Sequence, residues 1–447
     1  MHYQKIQDII TTGIAIDPTD FKILISPSEF RIQLLDHIRH AKNRIYISAL
    51  YLENDDAGYE ILDSLYKAKE KNSKIDIKVF VDFHRAQRGL VGSKNQIGNI
   101  EGYYKYKKKY DTAIEIYGVP VKTIEVLGVF HLKGFVIDNT LIYSGASLNN
   151  VYLNYNSKFR LDRYFIIKNS ALANSFIDFY HRHFLNNNNA VSLFTDNNKI
   201  EIKSIRKSVR KFSKDVSNAY FKSNDEISPN GIFATPIFGM GSKNNKLNDT
   251  IVSLIKSATS KLTIYTPYFN LPSIISKEIV LLLQKKAIEV TIVIGDKTAS
   301  DFYISPDEEF KKISIIPYLY EQNLKNFVEK YQQDIDDGFL NLYLWKNGNN
   351  TFHLKGVEVD DKYRLLTGNN LNPRGWRLDM ENGILINDSD KLLKEQFKNE
   401  LQFIMADCYK IITTESIDAI DDYPPKVKSY IKNIYRTKAD KLMKKLM

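Results

Sequence analysis

The segment FHLKGFVID at 130–138 returns as FHLKGVEVD at 352–360, so His131 and His353 occupy the same place in two copies of one motif. Two further segments repeat in the same order: LIYSGASLNN at 141–150 matches RLLTGNNLNP at 364–373, and RLDRYFII at 160–167 matches RLDMENGILI at 377–386. Upstream, a helical pattern at 31–42 leads into the β-branched run 44–53, and another at 246–261 leads into 262–272. Three motifs in one order in both halves mean duplication. The expected fold is α/β, with two pseudo-symmetric domains, each a mixed sheet flanked by helices, and the active site at their interface. The expected bounds are 1–222, 223–422 and a basic amphipathic C-terminal helix at 423–447, with the break in the polar stretch 223–231.

Composition narrows the class. With 447 residues, 43% hydrophobic and 26% charged, the chain can fill two cores. No run approaches the ~20 apolar residues that span a bilayer, and the N-terminus lacks a signal-peptide pattern, so a cytoplasmic protein is expected. Cys408 is the single cysteine, and no cluster has metal-ligand spacing; neither a metal nor a cofactor is expected. From residue 423 on lie eight Lys or Arg and one Asp, which is seven of the ten net positive charges. A basic tail on a near-neutral body reads as a docking device for an anionic surface. Residues 203–214 read as a second basic amphipathic helix, with Ile205, Val209 and Phe212 packing one face on the first domain.

The duplicated motif carries the chemistry. In an extended chain, residues i and i+2 share a face, so His131 with Lys133, and His353 with Lys355, present an imidazole beside an ammonium. Brought together across a pseudo-twofold axis, two such pairs suit metal-free phosphodiester chemistry: one imidazole attacks phosphorus, the other donates a proton, and the lysines neutralise the phosphoryl oxygens. Each histidine needs an acceptor to orient it. Glu381, downstream of His353 in a predicted strand, is the expected partner of His353. Tyr164 stands at the corresponding place in the first half, with Asp162 two residues earlier as the substitute. The turns after the motifs offer Ser147 and Asn149, and Asn369, Asn370 and Asn372, as neutral phosphoryl donors. Arg85 and Arg88, beside His84, are candidates for a second phosphate. Asp138 and Asp360 complete the motifs and belong to the candidate catalytic set, although an aspartate closing a strand more often holds a turn.

H-x-K-x4-D followed by a Gly/Ser/Asn turn, twice in one chain, resembles the phospholipase D superfamily. The segments VDFHRAQRG, TPYFNLP, GDKTASDFY, PYLYE and TGNNLNPRGWRLDMEN are similar to the Gram-negative, membrane-associated phosphatidylserine synthases of that superfamily. The resemblance implies transfer of a phosphatidyl group from CDP-diacylglycerol to L-serine with release of CMP, through a phosphohistidine formed by preference on His131. It implies peripheral attachment to the inner face of the cell membrane, through the basic tail. Cardiolipin synthase, a hydrolytic phospholipase D and a nucleic-acid phosphodiesterase share the motif and remain as alternatives. A non-enzymatic reading, a nucleic-acid or ribosome-binding module, rests on the basic tail and helix, and ribosome association through that tail is a further expected partnership. The near-neutral body argues against it as the main function.

Overall fold

In the computed structural model the described residues are Ile6, 10–88, 98–194, 202–223 and 225–437. Each half folds as the duplicated sequence requires. In the first, Arg44–Ser48 pairs in parallel with Asp76–Asp82, which pairs in parallel with Glu115–Val119. On its other side Arg44–Ser48 continues antiparallel through Gly134–Ile137, Thr140–Ser144, Tyr164–Lys168 and Phe21–Leu24. The second half repeats this with Lys261–Thr266, Glu289–Gly295 and Leu340–Trp345, then Gly356–Val359, Tyr363–Thr367, Met380–Asp388 and Ile232–Met240. The helix Pro27–His40 is capped by the Ser26 side chain and ends just before its strand, in the place the apolar spacing predicts.

Strand periodicity joins the halves. Phe135 and Ile137 face the helices of the first half, whereas Val136 between them enters a second core. That core also takes Leu366, Ile384 and Ile386 from the second sheet, whose alternate residues Leu365 and Leu385 face the helices of the second half. The two sheets therefore face one another across one shared apolar layer, which also takes Phe176, Phe179, Phe212 and Phe397 from helices, while other helices cover the outer faces, and the central strands are buried on both faces. Arg163, 2% exposed, crosses between halves to Glu400 at 2.8 Å and Glu358 at 2.7 Å. Charges this deep are held only because they are paired.

Three expectations about boundaries need correction. Thr12–Ile16, assigned with 1–222, runs antiparallel to Ile232–Met240 and so extends the second sheet. Within the stretch 223–231, Asp225–Glu226 pairs with Thr12 and Gly13 and is not merely a linker. The tail helix, Pro425–Arg436, buries Val427 and Ile431 against Ile315, Tyr318, Leu319 and Tyr423, and stacks Tyr430 on Phe310 at 5.3 Å. Its apolar stripe is thus covered by the second half over these residues and is not a free docking face. Ala439, Leu442, Met443 and Leu446 lie outside the described residues. The basic helix Ile202–Asp215 likewise turns Val209 and Phe212 inward, while the side chain of Ile205 lies outside the description.

The glycine after each motif lysine is a backbone requirement. Gly134 has φ +142° and Gly356 +157°, and a Cβ would stand 2.8 Å from the Phe176 ring in the first case and 2.6 Å from Arg163 Nη1 in the second. Gly134→Ala is therefore expected to cost about 1–3 kcal/mol of stability, read from the urea midpoint. An unshifted midpoint would show that the turn is not strained in this way.

Candidate active site

The four motif residues lie just before the strands that follow them, in extended chain. Here each half borrows from the other. The His131 N–H donates to the Met380 carbonyl at 2.9 Å, and Lys133 exchanges two hydrogen bonds with the Asn382 side chain, at 2.9 and 2.8 Å. Symmetrically, Thr351–Phe352 pairs in parallel with Arg160–Leu161, and the His353 N–H donates to the Leu161 carbonyl at 2.8 Å. Leu161 and Met380 are therefore equivalent, and so are the residues after them, Asp162 and Glu381.

This overturns the expected pairing. Glu381 does not face His353: both of its oxygens lie against His131 Nδ1, at 2.9 and 3.0 Å. Asp162 belongs to His353 and its lysine, with Oδ2 3.6 Å from His353 Nδ1 and 2.8 Å from Lys355 Nζ. Aligning the halves on the shared R-L-D places Tyr164 opposite Glu381, whereas strand pairing matches Tyr164 with Gly383, through Ser144 and Thr367. The acceptor is duplicated after all, two residues out of the sequence register, and it acts across the interface.

The two histidines are held differently. A carboxylate can only accept, so a proton on His131 Nδ1 leaves Nε2 with its lone pair. His353 Nδ1 instead lies 2.9 Å from the Tyr152 hydroxyl, which can donate or accept, and in contact with the Lys355 ammonium, so that with its proton on Nε2 the ring accepts from both. Burial first, and then both lysines, push His131 well below the usual histidine range. Burial and Lys355 lower His353 to about 4. Burial and Lys355 bring Lys133 down to about 7. Burial and Asp379 raise Glu381 well above the carboxylate range, against Lys133, Lys355 and Arg374, which favour the ionised form that accepts from His131, while burial of Asp162 is outweighed by Lys355 and His353, which hold it down.

The turns place their glycines against these lysines. A Cβ on Gly145 would stand 2.9 Å from Lys355 Nζ, and one on Gly368 3.0 Å from Lys133 Cγ, so each turn is open where the lysine of the other half reaches in. Ser147 accepts from Lys133 Nζ at 3.2 Å. Asn370 takes the equivalent position, with a buried Oδ1 that has no partner among the described residues. Asn369 spends its Oδ1 on the Leu371 N–H, while its Nδ2 is buried and unpartnered among the described residues. Asn372 caps the helix Pro373–Arg377 by accepting from the Gly375 N–H, and Asn149 holds the turn after it by accepting from the Tyr152 N–H.

Other expected members fall away from the centre. Asp138 accepts from the N–H groups of Lys42, Asn43 and Arg44, and Asp360 from those of Thr259, Ser260 and Lys261. Each closes the far end of a four-residue strand, about 16 Å from the motif lysine at the usual rise. Their place in the catalytic set is corrected to turn-holding. Arg88 is taken up by Glu125, whereas Arg85 lies 3.9 Å from that carboxylate and 4.9 Å over the Tyr51 ring. His84 meets the Lys122 carbonyl at 2.7 Å. Sequence reasoning missed Tyr152 and Asn382, since nothing local marks a side chain whose partner sits in the other half of the chain.

Among the described residues no group of His, Cys, Asp or Glu is placed to hold a metal ion, and no helix is long and apolar enough to cross a membrane. The family model described as "Cardiolipin synthase, PLD-like domain" matches residues 34–184 and 251–403, once in each half. A CDP-diacylglycerol–serine O-phosphatidyltransferase of Haemophilus influenzae is 42% identical over 97% of this chain and 96% of its own. One of Escherichia coli is 41% identical over 100% of this chain and 98% of its own. The crystal structure of phosphatidylserine synthase from Haemophilus influenzae superposes with a TM-score of 0.94, at 41% identity, over 98% of both chains. With its duplicated motif, its doubled sheet and these full-length relatives, the chain belongs to the phospholipase D-like family, among the CDP-diacylglycerol–serine O-phosphatidyltransferases.

Proposed function

We propose that the chain transfers the phosphatidyl group of CDP-diacylglycerol to L-serine in two displacements, with His131 as nucleophile. The full-length likeness to the named transferases supports the two substrates. The observation that carries the mechanism is the unequal tethering of the histidines, His131 by Glu381 and His353 by Tyr152 and Lys355.

His131 Nε2 attacks the phosphorus that bears diacylglycerol. A P–N bond forms, the P–O bond to CMP breaks, and CMP leaves with the proton of His353 Nε2. The hydroxyl of serine then gives its proton to that same nitrogen and attacks phosphorus. The P–N bond breaks, and phosphatidylserine leaves. Lys133 and Lys355 stabilise the charge on the phosphoryl oxygens, in a site dry enough for two cations to count. They also depress both histidines in the free protein. An entering diphosphate offsets that charge and restores a proton to His353.

Release of CMP with and without L-serine tests the reading: rapid release that depends on serine is expected. Release that ignores serine would mark a hydrolase.

The pH dependence follows from Lys133. Its ammonium is present below about 7 and lost above, so kcat/KM, which reports the free enzyme, is expected to fall about tenfold per unit at alkaline pH. His353, lowered to about 4 in the free protein, takes up its proton with the substrate and so adds a fall of its own that begins below neutrality, and the Lys133 limb shows as the further steepening near 7. A profile flat to pH 9 would contradict this role for the lysine.

The chain works at an anionic membrane surface on the cytoplasmic side, where a substrate with two acyl chains resides. The exposed Lys426, Lys432 and Arg436 support this, and each basic residue near such a surface is worth about 1 kcal/mol. Ribosome attachment through the same charges is the second reading of the tail. Sedimentation with anionic vesicles, against ribosomes at equal salt, separates them.

A further inference from the structure

Resting on the serine-transferase reading, we infer that Glu53 and Arg85 bind the amino-acid head of the acceptor, the carboxylate of Glu53 taking the α-ammonium and the guanidinium of Arg85 the α-carboxylate. Glu53 lies five residues past Ser48, the partner of Gly134, on the chain that leaves the strand Arg44–Ser48 toward the motif histidines. Its N–H donates to the Leu148 carbonyl at 2.9 Å, which fixes it beside the turn carrying Ser147 and Asn149. The residue is 7% exposed, and its Oε2 has no hydrogen-bond partner among the described residues. A buried carboxylate with an unbonded oxygen is costly unless something cationic completes it.

No cation among the described residues completes it. Burial raises Glu53, against the lowering effects of Arg85, the Asn149 amide and Arg160. Among the described residues Arg85 makes a loose ion pair to Glu125, at 3.9 Å, and its guanidinium lies on the Tyr51 ring. A carboxylate and a guanidinium on one wall are what a zwitterion requires, one for each end.

That wall leads directly to His353. Asn149 accepts from the Tyr152 N–H at 3.0 Å and donates to the Tyr51 hydroxyl at 3.4 Å, and the Tyr152 hydroxyl reaches His353 Nδ1 at 2.9 Å. An amino acid held by Glu53 and Arg85 would point its hydroxyl at the histidine that serves as its base. The second half has no such carboxylate: five residues past Tyr265, which pairs with Gly356, stands the neutral Asn270. The two walls differ in the one property that would assign them to different substrates.

The test separates the two half-reactions of full-length Glu53→Gln. The KM for L-serine is expected to rise about 10- to 100-fold, the usual effect of removing a charge-assisted hydrogen bond. Exchange of labelled CMP into CDP-diacylglycerol without serine should persist, which also shows that the variant is folded. A structural role would not alter acceptor choice, so the preference for serine over glycerate, which lacks the ammonium, should shrink in the variant, and that over ethanolamine, which lacks the carboxylate, should not. An unchanged serine KM, or exchange lost in parallel with transfer, overturns the assignment. Absence of serine-dependent turnover in the parent enzyme would instead sink the transferase reading beneath it.

Discussion

His131→Ala and His353→Ala are each expected to lose at least about 1,000-fold in kcat, and the double variant to be little worse than either. Residues that act as one unit are not additive, because once either is gone the other has no step to serve. The structure adds a distinction that duplication alone does not supply. His131 bears the carboxylate tether, so its loss should abolish CMP exchange altogether. In His353→Ala the nucleophile survives and lacks its proton donor, so a slow exchange should remain. The comparison is made at equal loading with folding checked by circular dichroism. Equal and substantial activity in either single variant would contradict the two-histidine scheme.

The next largest effect is expected at Glu381. Glu381→Gln keeps the size of the side chain and removes the obligate acceptor, so the Nδ1 proton of His131 is no longer fixed and the attacking tautomer is lost. The fall in kcat should be about 100- to 10,000-fold, as when the carboxylate of a catalytic triad becomes an amide. It should appear in CMP exchange as strongly as in the full reaction. Asp162→Asn touches the other histidine through Lys355 and should depress the serine step more than exchange. Glu381 is a positioning residue here, so its variant should also shift the pH profile of exchange. The reverse pattern, with Asp162→Asn the more damaging to exchange, would restore the pairing of Glu381 with His353 read from sequence order.

That pairing is hidden from the sequence for a physical reason. The repeat, the H-x-K pairs and the strand order are local patterns of apolar alternation and residue type, and these are legible in one chain. The partner of a buried imidazole is set by which half supplies the neighbouring strand. Arg160–Leu161 crosses to Thr351–Phe352, a contact between the two halves that no periodicity reports. Matching R-L-D to R-L-D is the natural alignment, and it fails by two residues because Tyr164, and not Asp162, begins the regular strand. Asp138 and Asp360 are legible as turn-holders from their place after a strand. Asn149 as a turn-holder and Asn372 as a helix cap are not legible, since an Asn near a phosphate motif reads equally as a donor. The tail shows the same limit: an amphipathic stripe states that something apolar covers it, and only the fold identifies the cover as Ile315, Tyr318 and Leu319. Thr12–Ile16 reads as a strand by composition, yet its membership of the second sheet depends on pairing with Ile232–Met240, far along the chain.

In the proposed mechanism His131 carries the phosphatidyl group between the two displacements. The direct measurement is to mix the protein with CDP-diacylglycerol labelled in the lipid-linked phosphate, without serine, quench in alkali and map the labelled peptide. An acid-labile, alkali-stable label is expected on His131, absent from His131→Ala and discharged to phosphatidylserine when L-serine is added before the quench. Label on His353, or turnover with no covalent label at any time point, would contradict it.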